Sequence, residues 1–183
     1  MNSRIVRFLL ILALVASIIL PSSKANAEAN PNSDSPQRET WIAPDGQKFF
    51  METFSSEESL SKQNVLIQPL ALGCKALTNG VNMYNALGSL VWSYSWKITW
   101  CYDGSKITSL TPQRIVNVYA VGYSFQGDIT SDTSGGVNQW SYYQYKQGDM
   151  CYIDYGINCA WHTYPSVEQT VYGNGTSSGS AWY

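Results

Sequence analysis

Between Leu90 and Tyr102 the sequence alternates without a break. Its even positions are Leu90, Trp92, Tyr94, Trp96, Ile98, Trp100 and Tyr102; its odd positions are Val91, Ser93, Ser95, Lys97, Thr99 and Cys101. Side chains of a strand point alternately to its two faces, so this pattern collects the rings on one side, whereas a helix would scatter them around its circumference. At about 3.3 Å per residue the run extends roughly 40 Å, which implies one long bent strand or two strands meeting near Trp96. Asp103-Gly104 follows as a tight-turn signal into a second strand at 106–110. A chain with this segment needs a sheet with one buried face and apolar material to set against it.

The chain from residue 67 to 183 continues in the same manner. A strand is expected over 115–125, where Ile115, Tyr119, Val121, Tyr123 and Phe125 alternate with smaller residues and Asn117 is the exception. A polar loop is expected over 128–138, around Gly135-Gly136, and a strand over 140–145. Gln147-Gly148-Asp149 reads as a turn into another strand at 150–153, and the last regular strand is placed at 168–172. No internal repeat and no sustained helical period interrupts the pattern. The expected fold is all-β: a small antiparallel β-sandwich stabilised by disulfides, with a partly closed β-barrel as the alternative.

The front of the chain differs. Arg4 and Arg7 precede an apolar run over 8–20, Pro21 breaks it, and Ala25-Asn26-Ala27 offers the small-x-small pattern of a cleavage site. Residues 1–27 therefore read as a signal peptide. Thirteen residues of helix span roughly 20 Å, short of the ~30 Å hydrocarbon layer, and no second run approaches membrane length. The mature chain is expected to be secreted and extracellular, with no membrane span. Residues 28–66 read as an acidic flexible tail, linker or pro-segment. Within it Pro44-Asp45-Gly46 separates Trp41-Ile42 from Phe49-Phe50-Met51, a possible hairpin at 41–51, and Ser55 with Glu58 fits the capping box of a short helix.

Export decides how the cysteines are read. Cys74, Cys101, Cys151 and Cys159 are an even set in an oxidising setting, and three pairings are possible. Cys74–Cys101 with Cys151–Cys159 is favoured, because the second pair brackets only seven residues, among which Gly156 and Asn158 suit a turn. A four-cysteine zinc site normally presents two close C-x-x-C pairs, and neither exists here, so no metal is expected.

Trp100-Cys101-Tyr102-Asp103-Gly104 is followed by Ile107-Thr108, by Gly148 ahead of Cys151, by Tyr164-Pro165, and by Val171-Tyr172-Gly173-Asn174-Gly175. Across residues 70–176 this resembles a group of small exported proteins of Gram-positive bacteria that carry a W-C-Y-D/N-G turn and a late cysteine pair before a Y-P strand. The resemblance implies export, disulfides and β structure. It implies no catalytic residues, because the group has no established activity.

The inventory for chemistry is thin. His162 is the single histidine, and a general base needs a nucleophile and an orienting acid. No serine sits in G-x-S-x-G; residues 122–127, GYSFQG, have one residue too many. Carboxylates in the β region are Asp103, Asp128, Asp132, Asp149, Asp154 and Glu168. Asp103 and Asp149 read as turn residues, Asp128 and Asp132 as loop residues, and Glu168 as pointing outward from a strand. No catalytic residue, cofactor or metal is assigned.

Aromatics carry the one positive signal. The chain holds 13 Tyr and 7 Trp. In the 140–145 segment both faces bear rings, Trp140 and Tyr142 on one and Tyr143 and Tyr145 on the other, so one set is expected at the surface, where rings with polar tips suit sugars or proteins. Loss of Arg4, Arg7 and Lys24 with the leader leaves 8 basic against 13 acidic residues, which argues against nucleic acid as a partner. The expected function is a secreted, non-catalytic β domain that binds a cell-surface glycan or protein through Trp140, Tyr142, Tyr143 and Tyr145. A small secreted hydrolase, or an antimicrobial or inhibitory protein, is the alternative.

Overall fold

The long alternating segment is a single strand. In the computed structural model, which describes residues 38–43, 45–60, 72–154 and 159–183, strand β4 spans Leu90–Tyr102. Trp92, Tyr94, Ile98 and Trp100 are each 1% exposed or less. β4 is flanked on one side by β3 (Gly73–Asn85) and on the other by β5 (Ile107–Val118). Local register shifts at Met83/Tyr84 and at Cys101/Tyr102 bend the pairing without dividing the strand. Asp103 forms the following turn as its sequence implies, its Oδ1 accepting from the backbone N–H groups of Ser105 and Lys106, each at 2.9 Å.

With β1 (Arg38–Ile42) and β2 (Lys48–Leu60), these strands form an antiparallel meander in the order β1-β2-β3-β4-β5. The boundary drawn at residue 67 is thereby corrected, since Arg38–Ile42 and Lys48–Leu60 are part of the sheet. Phe49 and Met51 of β2 are buried in the core, and the Tyr152 hydroxyl donates to Asp45 Oδ2 at 2.7 Å from the opposite sheet. The short helix signalled by Ser55 and Glu58 is also replaced by strand. Pairing with β3 overrides the local capping preference, and Lys75 and Lys97 receive Glu57 and Glu58 at 2.7 and 3.8 Å. The leader, residues 28–37 and residues 61–71 lie outside the described residues.

The second sheet contains β6 (Tyr123–Gly135), β7 (Ser141–Asp154), β8 (Cys159–Thr163), β9 (Ser166–Tyr172) and β10 (Ser177–Trp182). Its order is β10-β9-β7-β6, with β8 pairing the far end of β7. Three expectations are corrected here. The strand placed at 115–125 is two strands separated by a turn at 119–122, in which Gly122 takes φ 86°. The loop placed at 128–138 is mostly β6, which pairs along β7 despite its polar composition. The turn placed at 147–149 is strand throughout. Gly148 serves a close approach there, because a Cβ on it would lie 2.5 Å from Cε2 of Tyr94.

The two antiparallel sheets face each other without closing into a barrel. Both disulfides pair as read from spacing: Cys74–Cys101 joins opposed residues of β3 and β4, and Cys151–Cys159 ties β7 to β8. The core has two apolar parts. One gathers Phe49, Met51, Val81, Trp92, Tyr94, Met150 and Val167; the other gathers Leu77, Ile98, Trp100, Ile107, Tyr142 and Val171. Asn79, Gln144 and Gln169 are also fully buried. Gln144 Nε2 donates to Gln169 Oε1 at 2.6 Å, and Gln169 Nε2 donates to Asn79 Oδ1 at 2.9 Å and to the Trp96 carbonyl at 3.0 Å. The link satisfies both glutamine amides and the Asn79 Oδ1, groups whose burial alone would cost about 1–3 kcal/mol each, while Asn79 Nδ2 is buried without a partner.

Candidate functional site

Strand β7 decides which rings reach the surface. Tyr142, Gln144, Lys146, Gly148 and Met150 are buried, whereas Tyr143, Tyr145, Gln147 and Asp149 alternate with them and retain solvent access. Tyr142 is thereby corrected as a binding residue. It is 7% exposed, packs with Leu77, Ile98 and Trp100, and donates its hydroxyl to Gln144 Oε1 at 3.2 Å. Burial raises its phenol pKa above the ordinary value. Lys146 also points inward, its Nζ bonded to Ser131 and lying 5.2 Å from the centre of the Trp96 ring.

The outward side chains converge on the open face of the second sheet. Tyr145 stacks on Trp182 of β10, ring centroids 5.9 Å apart and planes 18° from parallel. Beneath them Ser166 is completely covered, its hydroxyl within 3.5 Å of the Tyr145 hydroxyl and accepting from Gln147 Nε2 at 3.1 Å. Tyr143 lies one step along the same face. Trp140 belongs to the turn before β7 rather than to a strand; it is half exposed, 6.2 Å from the ring of Tyr172.

Carboxylates flank these rings. Register places Glu168 of β9 opposite Tyr145 on one side and Asp132 of β6 opposite it on the other. The Tyr143 phenol is raised above its ordinary pKa by burial first, then by the charge and hydrogen bond of Glu168 and the charge of Asp132. Beside Glu168 is a shallow depression of about 280 Å³ lined by Gln169, Thr170, Ser178, Gly179 and Ser180. Glu168 faces outward as its sequence implies, while Asp132 lies in a strand rather than a loop.

Trp182 and Tyr172 were not marked by sequence reasoning. Alternation over Glu168, Thr170 and Tyr172 points to the latter. Trp182 ends a Gly/Ser-rich tail that gives little strand signal, although Ser178, Ser180 and Trp182 do keep period two.

A second cluster lies at the other end of β7. His162 Nδ1 is 2.7 Å from Asp149 Oδ1, and its ring stacks on Tyr164 at 6.0 Å. Asp149 is thus a cross-strand partner and not a turn former, which the misplaced turn at 147–149 concealed. Among the described residues His162 bonds to this carboxylate and to no serine, threonine or cysteine. Asp128, expected in a loop, is held by Arg114 at 2.7 Å and accepts from the Tyr94 hydroxyl at 3.0 Å. No group of three or more metal-ligating side chains occurs among the described residues. Nor is any described helix long and apolar enough to cross a membrane. Comparison with family models, curated proteins and solved structures gives no match for this chain.

Proposed function

We propose that this is an exported β-sandwich module that binds a cell-surface glycan on the outer face of its second sheet, through Tyr143, Tyr145 and Trp182. Export rests on the leader, on the family resemblance and on two disulfides of the kind kept in oxidising compartments. The carrying observation is the Tyr145–Trp182 stack, two large rings held in register by paired strands, Trp182 exposed and Tyr145 partly so. Ring faces pack against the C–H surfaces of sugars, while Thr170, Ser178 and Ser180 in the adjoining depression supply hydroxyls for orientation.

Isothermal titration against solubilised cell-wall polysaccharide tests this reading. Tyr145→Ala and Trp182→Ala are expected to weaken binding at least tenfold, a loss of about 1.4 kcal/mol each. Absence of binding to any wall fraction, or wild-type affinity in both variants, defeats it.

A further inference from the structure

We propose that the glycan recognised on this face carries free amino groups, a polymer of deacetylated amino sugar in its ammonium form. The inference rests on the binding face proposed above and adds the chemistry of its ligand. Glu168 and Asp132 bracket Tyr145 from the two neighbouring strands. Cross-strand neighbours lie about 5 Å apart, so both carboxylates fall within reach of one ligand seated on the ring.

Neither carboxylate has a cationic partner among the described residues. The ion pairs there join Lys75 to Glu57, Lys97 to Glu58, Arg114 to Asp128 and His162 to Asp149. Lys146, the lysine nearest in the chain, is turned into the interior and is 7% exposed. Two unneutralised carboxylates beside partly exposed rings, whose faces are electron-rich, make a surface selective for cations. The hydroxyls of Thr170, Ser178 and Ser180 add the donors and acceptors that a polyhydroxylated ring needs and that a simple ammonium ion would not use. An amino sugar combines an apolar ring face, hydroxyls and a positive charge. Its N-acetylated and neutral counterparts lack the charge.

The test titrates the exported protein with three oligosaccharides of equal length: glucosamine, N-acetylglucosamine and neutral glucose oligomers. The buffer is mildly acidic, so that the sugar amine is protonated. The glucosamine oligomer is expected to bind roughly fivefold to tenfold tighter than the other two, an advantage that added salt erodes. In the double variant Glu168→Gln, Asp132→Asn that preference disappears while weak binding to all three remains. Salt dependence of the wild-type protein keeps the proposal testable should the variant fold poorly. Equal affinity for all three oligomers overturns the proposal and leaves the glycan-binding face standing. Binding to none overturns both. Oligolysine competing as well as the glucosamine oligomer assigns the face to a basic peptide and also overturns it.

Discussion

Strands β4 and β7 are both rich in aromatic residues, yet they use them in opposite ways. In β4 the rings share one face, which enters the core, and only Trp96 among the central ones keeps some solvent access. In β7 the inward positions include Gln144, Lys146 and Gly148, while Tyr143 and Tyr145 look out. Burying polar groups while exposing rings is unfavourable by hydrophobic transfer alone. β4 follows what stability requires. β7 departs from it, and departures of this kind concentrate where a surface has a task.

The largest effect expected from this contrast is in β4. Trp100→Ala should lower the free energy of unfolding by about 3–5 kcal/mol in urea titrations, because Trp100 is fully buried. A loss below about 1 kcal/mol would erase the distinction between the strands. The disulfides come next. Loop-closure entropy assigns about 3.5 kcal/mol to Cys74–Cys101 and about 2.5 kcal/mol to Cys151–Cys159, from sequence separations of 27 and 8. Alanine pairs compared by thermal melting should therefore rank β4's bridge above that of β7, and the reverse order would point to strain or residual denatured-state structure. Gln169→Leu should cost about 2–3 kcal/mol by stranding Gln144 and Asn79; a neutral result would mean that the amide link contributes nothing net. Tyr145→Ala should cost about 1 kcal/mol or less in stability while weakening ligand binding, and equal losses in both assays would make it a structural residue. The smallest effect concerns Asp103, in the turn after β4. Backbone and hydroxyl donation from Ser105, then backbone donation from Lys106, holds its carboxyl below the ordinary aspartate range. Its contribution is thus present above the unfolded-state pKa and lost as pH falls through the lower folded-state value. Asp103→Asn should slightly lower stability at neutral pH and flatten the acid limb of a stability–pH profile, the variant and wild-type curves converging at low pH.

Legibility in the sequence followed the same division. The bounds of β4, the Asp103 turn and both cysteine pairs come from local signals that agree with tertiary packing. β6 escaped notice because an outer strand paired on one side needs hydrogen-bonding backbone more than apolar side chains, and its Ser, Thr and Asp residues mimic a loop. The acidic half of β2 was obscured in the same way, its charges being answered by lysines on other strands. Gly148 looked like punctuation because only the fold shows the Tyr94 ring that excludes a side chain there. Within the candidate site, Tyr143 and Tyr145 were legible as part of a two-faced aromatic run. The inward turn of Tyr142 and the arrival of Trp182 depend on strand pairing that no local pattern encodes.

Gln169 occupies the position between Glu168 and Thr170, so the residue that locks one sheet to the other from within is the immediate neighbour of two that line the outer depression. A slip of β9 by two residues would preserve its inside–outside alternation but tear Gln169 from Asn79, Gln144 and the Trp96 carbonyl together. The interior amides thus act as a dowel, and the spacing of rings and carboxylates on the outside is set by a joint whose side chains lie wholly inside the core.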